Sequence, residues 1–530
     1  MGIGNNKETV VLFGASGSMG HEAFKELWKR REHYDIVLLL LPTRTEKKLF
    51  RKYEKEAGIQ PIPDKGISSG SGLKIVWGDA TEYQDVEEAV CGADWVLNAM
   101  ALISPQADYY PEAARRVNID GINNILKAIE TQPNGTEHIK YIHTGTVAET
   151  GDRLPPIHGG RVGDPLKPSI FDYYAVTKIA GERAVLESNI RHWASLRMTF
   201  IMPVDSVDYF NLWDSIMFHQ PINTCMENVS SRDAGFGLVN CLDIPDDSDF
   251  WRRVYNMGGG PDMRCSAYGF MTQALKLGGI SAVEAVMERK WFALRNFHMQ
   301  YYEDSYLTNS YLHYWRDSLD DWLNAVQKDM ALSLKLIAFL ARKSPFFQEI
   351  IEKITYIRMQ GMVENHKNGT GYWYTNQNEQ RITAFYKDFQ TYESIPDWGA
   401  DLPPLVPDDD WIRLDHGYDE EKEKLELFDL KKAAVFRGGE CLSPTWNGDL
   451  YQALSWKCAS GHEFLGKPYS VIKAGHWCPD CVPPPWDFDQ QAKLNPFFAQ
   501  VWYPNHAREE NNFYPEDCLN DIAGADQGSS

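Results

Sequence analysis

The run Tyr174-Ala175-Val176-Thr177-Lys178 holds a phenol and an ammonium four residues apart, a spacing that puts both on one face of a helix. A phenol with an ordinary pKa of about 10 is a poor base at neutral pH. A nearby ammonium favours the phenolate and moves the group toward the working range. Upstream, His143-Thr144-Gly145-Thr146 closes an apolar run, and the Thr146 hydroxyl can orient the reacting oxygen from the other side. Tyr174 as acid/base, Lys178 as its modulator and Thr146 as the oxygen-binding group form a set suited to a secondary alcohol or ketone.

Chemistry of that kind needs a hydride carrier. Near the N-terminus an apolar run ends in Gly14-Ala15-Ser16-Gly17-Ser18-Met19-Gly20, and a helical pattern follows. A pyrophosphate at a helix N-terminus needs backbone N–H groups close to its oxygens, and glycines supply the tight turn and the close approach. Asp79 and Ala80 follow the third apolar run, where a carboxylate receives an adenine amino group; Asn98, Ala99 and Met100 follow the fourth and leave room for a ribose. An NAD site expects an acid near the end of the second strand. Here Leu38–Leu41 leads into Pro42-Thr43-Arg44, with no carboxylate before Glu46. Arg44 suits a 2′-phosphate, so NADP(H) is expected over NAD(H). The positive ring of the oxidised nicotinamide then adds to Lys178 in favouring phenolate, and Lys178 also bonds the nicotinamide ribose.

A second constellation lies near the C-terminus: Cys458-x-x-x-His462 and Cys478-x-x-Cys481. Tetrahedral zinc takes four N/S ligands, commonly from two knuckles, and these four match, with Cys441 and His476 as alternative ligands. Four protein ligands leave no open position, so the zinc is expected to be structural. Between Lys431 and Cys481 six Lys/Arg stand against four Asp/Glu, too slight an excess to track phosphates.

The elements that must position these residues follow from the pattern. Apolar runs at 9–14, 35–41, 73–77, 95–99 and 139–143 read as buried strands, with helical patterns at 21–31, 85–91 and 117–130 between them. Such alternation predicts an α/β fold, a Rossmann doubly wound parallel sheet with a smaller substrate domain, plus a helical extension and a small zinc-ribbon domain. The expected division is 1–330 for the Rossmann domain with its substrate part mainly in 200–330, 331–430 for a helical, aromatic-rich connector, 431–485 for the zinc-ribbon-like module and 486–530 for a tail. Residues 328–359 read as helix; 362–411 show no period and end in the acidic run Asp408-Asp409-Asp410; 420–436 read as helix again.

A chain of 530 residues with 43% hydrophobic and 13% aromatic content folds as more than one globular unit. A net charge of −21 argues against a nucleic-acid binder. The nine cysteines form no even disulfide framework. No apolar stretch is long enough to cross a membrane, and no leader pattern is visible at the start. A cytoplasmic protein with no membrane partner is expected.

The combination of GASGSMG at 14–20, GDAT at 78–81, VNIDGINNILKA at 117–128, HTGT at 143–146 and YAVTK at 174–178 resembles the extended short-chain dehydrogenases/reductases, the NAD-dependent epimerase/dehydratase family. SLRMTFIMP at 195–203 and VYNMGGG at 254–260 resemble that family's later strands, and the resemblance covers about residues 8–330. It implies Thr146, Tyr174 and Lys178 as the catalytic set, with Thr in place of the more usual Ser, and by analogy a homodimer through the helices that carry the tyrosine. Dehydratases of the family carry an Asp-Glu pair where Val147-Ala148 stands, which counts against elimination. Nine aromatics between Trp291 and Trp315 fall in the family's substrate region and suit a bulky apolar substrate. The C-terminal pattern resembles small zinc-ribbon modules. The expectation is an NAD(P)-dependent oxidoreductase acting on a small-molecule secondary alcohol or ketone. The alternatives are a sugar-nucleotide epimerase with retained NAD, or a non-enzymatic NAD(P)-sensing or scaffold protein.

Overall fold

The computed structural model describes residues 7–207, 213–399 and 411–525; the acidic run 408–410 lies outside them. Continuous apolar runs fold as strands buried on both faces, which need no polar alternation. In chain order the strands of the sheet are β1 (Glu8–Phe13), β2 (Tyr34–Leu40), β3 (Gly66–Gly70), β4 (Leu73–Trp77), β5 (Trp95–Asn98), β6 (Lys140–Thr146), β7 (Trp193–Met198) and β8 (Arg253–Met257), all but β3 built on such runs. They make one sheet in the order β8-β7-β6-β5-β1-β2-β4-β3. Only β3 runs antiparallel, along β4 at the edge; its Gly/Ser-rich sequence gives no apolar signal.

Strand β1 lies between β2 and β5. The order of the sheet reverses there, so a crevice opens beyond the C-terminal ends of β1 and β5. Helix α1 (Ser18–Lys29) leaves the glycine loop and buries Ala23, Phe24 and Leu27 against the sheet. Helix α2 (Arg44–Glu56) follows β2, and helix α3 (Tyr173–Glu187) carries the Tyr-Lys pair.

Beyond residue 320 the structure refines the expected division. The helix-like stretch 328–359 is two helices, α4 (Leu332–Lys343) and α5 (Pro345–Glu364), preceded by the end of Leu319–Asp329. The break falls at Ser344, which is extended because a following proline disfavours the helical region. The stretch without a period contains helices Thr370–Thr375, Glu379–Tyr386 and Phe389–Ser394. Each spans about two turns, too short for a 3.6-residue pattern to emerge. Of the expected 420–436 helix only Leu427–Phe436 forms.

Residues 486–525 do not trail as a tail. Trp486, Phe488, Phe498, Trp502 and Tyr514 share a core with Phe171, Trp373 and Phe385, and Arg295 pairs with Glu510 at 2.7 Å. The aromatics expected to line a substrate site are mostly core. Trp291, Phe292, Tyr301, Tyr302 and Tyr314 are buried, and Tyr314 and Trp315 both donate to the Gly258 carbonyl.

Candidate active site and Cys/His centre

The glycine loop has the shape a dinucleotide needs. Gly14 has φ +77°, and a Cβ there would meet the Ala99 backbone at 2.6 Å; one on Gly20 would meet the Gly14 carbonyl oxygen at 2.0 Å. A Cβ on Gly17 would meet nothing closer than 3.6 Å. Two glycines are thus required by the fold, and the third keeps the mouth of the loop open. Helix α1, with Ser18 and Met19 in its first turn, starts at Gly17 without a side-chain cap and without an acid in that turn. Its first N–H groups therefore remain as donors for an anion. These residues fit a pyrophosphate.

The flanking residues divide. Asp79 caps a local turn by accepting from Thr81 N at 2.9 Å, and the Ala80 carbonyl accepts from Asn124. Asn98 is fully buried. It donates to the Tyr141 hydroxyl at 3.1 Å and accepts from Met100 N at 3.1 Å, so it shapes the end of β5. Arg44 is exposed at the start of α2. Two residues on, Glu46 turns back to the glycine loop and accepts from the Ser16 hydroxyl at 2.7 Å. Its other oxygen is buried without a partner. Burial raises its pKa, and the Ser16 bond opposes the rise. An orphaned carboxylate oxygen beside the loop fits a ribose hydroxyl. Sequence reading passed over Glu46 because it lies on a helix and not on the strand end.

Thr146 ends β6, and its strand partner in β7 is Met198. Its hydroxyl accepts from Ala148 N at 3.3 Å; burial raises the Tyr174 pKa, and the neighbouring Thr146 side chain pulls it back. Lys178, one turn along α3, is buried and donates to the Thr144 carbonyl at 2.6 Å. Burial lowers its pKa while Glu149 and Glu182 oppose that. The three expected residues thus converge at the C-terminal end of β6. Without the cofactor's positive ring, burial keeps the phenol protonated, the form that donates to a carbonyl.

Beneath them lies a buried charge network that sequence reading missed. The Glu149 carboxylate accepts from Thr146 N at 2.9 Å and lies 3.4 Å from the Arg197 guanidinium. Arg197 pairs with Glu182 at 2.6 Å, and Glu182 also accepts from Ser195 and faces His476 Nε2 at 2.9 Å. Burial pushes Glu149 well above the usual carboxylate range, reinforced by the Glu182 charge. Burial acts on Glu182 too, but Arg197 and His476 overcome it and hold it well below that range. No local spacing in the sequence announces a network assembled from four separate segments.

His476 therefore ties to α3 through Glu182. The cluster that can hold a metal is Cys458, His462, Cys478 and Cys481, with donor atoms all within 4.8 Å of one another; Cys441 is not a member. His462 Nδ1 lies 3.5, 3.5 and 3.4 Å from the three sulfurs, and Cys458 Sγ lies 3.9 Å from Cys481 Sγ. Zn–S and Zn–N bonds of about 2.3 and 2.0 Å imply tetrahedral edges of about 3.8 Å between sulfurs and about 3.5 Å from sulfur to nitrogen. The donor set fits. The module around it, strands Glu440–Cys441, Leu454–Lys457 and Glu463–Gly466, clasps the outer face of α3. Arg183 donates to the Trp477 and Leu465 carbonyls, and Glu187 accepts from Lys467 N.

At the N-terminal end of α3, lined by its capping residue Asp172, lies an open pocket of about 320 Å³. Asp108, Asp172, His298, Phe297, Arg381 and Phe385 are among its lining residues. Burial and the neighbouring Asp172 charge push Asp108 up to about 7. Of the aromatics between 291 and 315, only Phe297 reaches this pocket.

A largely parallel sheet with a glycine loop at its switch point is a Rossmann-like fold. The model of the NAD dependent epimerase/dehydratase family matches residues 10–206. The UDP-glucose 4-epimerase of Rickettsia prowazekii (strain Madrid E) is 30% identical over 123 residues, 23% of this chain and 32% of that protein. The enzyme of the same name from Rickettsia bellii (strain RML369-C) is 29% identical over 122 residues, again 23% of this chain and 32% of that protein. The chain thus spans about a third of the length of the curated relatives it matches. Among solved structures, the UDP-glucuronic acid 4-epimerase from Bacillus cereus in complex with UDP-glucuronic acid and NAD is 18% identical, with a TM-score of 0.46. The alignment covers 62% of this chain and 99% of that one.

Proposed function

We propose that the chain is an NAD(H)-dependent enzyme that moves a hydride at a secondary alcohol carbon, with Tyr174 as the general acid/base. The observation that carries this is buried Lys178 bonded to the Thr144 carbonyl, with Tyr174 one turn back on the same helix and Thr146 ending the same strand as Thr144, all at the edge of the sheet where the glycine loop opens. Thr146 and Tyr174 hold the substrate oxygen, and Tyr174 takes or gives its proton. Lys178, which donates to the Thr144 carbonyl, would bond the nicotinamide ribose. The bound dinucleotide supplies the hydride and, when oxidised, a positive ring that favours phenolate.

Glu46 turns the expectation of NADP(H) toward NAD(H). A carboxylate oxygen without a partner beside Ser16 attracts a ribose hydroxyl and repels a 2′-phosphate; Arg44, exposed nearby, speaks for the phosphate. A secondary reading, epimerisation with retained NAD, is favoured by the alignment with UDP-glucose 4-epimerases. Val147 and Ala148 at the dehydratase positions speak against elimination. Nicotinamide absorbance during turnover separates the readings. A dehydrogenase changes it in step with product, and an epimerase makes product with no net change. No product from ketones or sugar nucleotides with either cofactor would sink both.

The Cys/His cluster is proposed to hold one structural zinc through Cys458, His462, Cys478 and Cys481. Because the module occupies Arg183 and Glu187, a homodimer through that face of α3 would have to displace it. The protein is proposed not to pair there.

A further inference from the structure

Helices α4 and α5 pack against each other as a hairpin whose amphipathicity is inverted. The side of α4 facing the body is small: Ala338 and Ala341 are buried, and a Cβ on Gly279 would meet the Ala341 Cβ at 2.8 Å. Helix α5 joins the core through Met359 and Val363, beside Phe218 and Trp291. The large apolar side chains point the other way. Leu332, Leu336, Phe339, Phe346, Ile354 and Ile357 are each more than half exposed. Soluble monomers rarely expose contiguous apolar patches beyond a few hundred Å², and here six large apolar side chains are exposed on two adjacent helices, with Phe346 in the first turn of α5. A folded chain does not leave that area in water without a use for it.

Charge identifies the occupant. Residues 331–359 carry Lys335, Arg342, Lys343, Lys353 and Arg358 against Glu349 and Glu352, in a chain of net charge −21. Glu352 is turned inward, bonded to Ser281 and Gln348, whereas Arg342, Lys343, Lys353 and Arg358 are exposed. Cations interleaved with Leu, Ile and Phe let the stems lie along an apolar phase while the heads stay at its polar boundary. A second copy of the same face would set like charges against each other, whereas anionic headgroups neutralise them. Among the described residues no helix is long and apolar enough to cross a membrane.

We propose that the α4–α5 hairpin docks this protein onto an anionic phospholipid surface, lying in the headgroup–acyl boundary of one leaflet without spanning the bilayer. This revises the expectation of no membrane partner and stands whether or not the catalytic reading holds. The test is co-sedimentation of the full chain with vesicles of phosphatidylcholine, with and without phosphatidylglycerol, over a range of salt. Binding should require phosphatidylglycerol and weaken as salt rises. Phe346→Ser with Ile354→Ser should lower vesicle affinity at least about tenfold while the melting temperature stays put. Lys343→Glu with Lys353→Glu should remove the preference for the anionic lipid. Absence of binding to either vesicle overturns the proposal. So does equal, salt-independent binding to phosphatidylcholine alone. So does a concentration-dependent dimer by light scattering that Phe346→Ser abolishes, which would give the face to a second copy.

Discussion

Helix α3 is held from two sides by different physics. On its inner side stands the sheet, a repetitive ladder of parallel hydrogen bonds around apolar side chains. On its outer side stands the Cys/His module, joined by a few directional ties: His476 to Glu182, Arg183 to two carbonyls, and Lys467 to Glu187. A ladder shares its load over many equivalent bonds, and an apolar core tolerates volume-conserving change. A buried polar tie has no redundancy, because removing one partner strands the other in a medium that cannot solvate it. The inner side should therefore yield gradually to mutation and the outer side abruptly.

The strongest way to break that contrast is to remove the metal. Zinc-dependent modules draw on the order of 10 kcal/mol of folding free energy from the ion. Cys478→Ser, or a strong chelator, is expected to abolish about one equivalent of bound zinc and expose the outer face of α3. Metal analysis combined with hydrogen exchange reads this: protection should fall over 440–482 while β1, β5 and β6 stay protected. A zinc-free protein with unchanged exchange would erase the distinction.

Tyr174→Phe tests the inner side, where chemistry depends on one hydroxyl. Loss of a general acid/base costs about 10²–10⁴-fold in kcat. Dinucleotide binding, measured by fluorescence titration, should stay near normal because the glycine loop is untouched. Turnover within a few fold of the parent would move the acid/base role elsewhere.

What could be read in advance follows the same divide. The glycine loop, the strand runs and the Tyr-Lys pair are short and local, and their chemistry is carried by adjacent residues. Glu149, Glu182, Arg197 and His476 lie on four segments, and only the finished fold brings them together. The same holds for the core that joins Phe171, Trp373 and Trp486, whose short helices carry no period. Glu46 was visible but sat one helical turn away from where an acid is usually sought.

Glu182 measures how abrupt a buried tie is, because it joins the module's His476 to Arg197 on β7 of the sheet. Its carboxylate faces Arg197 and His476, all three buried, and breaking such an arrangement costs about 3–5 kcal/mol. Glu182→Gln should lower the melting temperature and change its pH dependence. A carboxylate whose folded pKa is depressed stabilises fully above its unfolded value and loses that contribution as pH falls toward the folded one. The parent should therefore lose stability on acidification below its ordinary value of 4.5, and the variant should lose less over the same window. Glu149 has the opposite sign. Its raised pKa means a contribution present below the ordinary value of 4.5 that fades as pH climbs from there toward the folded one, so Glu149→Gln should flatten that fall.

The smallest effect expected is the most discriminating for the cofactor. Glu46 has one oxygen on Ser16 and one free, and a hydrogen bond to a charged group is worth about 1.5–3 kcal/mol. If that oxygen holds a ribose hydroxyl, Glu46→Ala raises KM for NAD(H) about tenfold or more, leaves kcat nearly unchanged and improves NADP(H) by removing a negative neighbour. Arg44→Ala should then do little with NAD(H), since its side chain is exposed and takes no part in the Ser16–Glu46 bond. The reverse pattern, in which Arg44→Ala destroys NADP(H) use and Glu46→Ala is silent, would return the site to NADP(H). Either result leaves the sheet and the Tyr174 chemistry in place, because the helix end that reads the ribose carries none of the load that aligns β6 with α3.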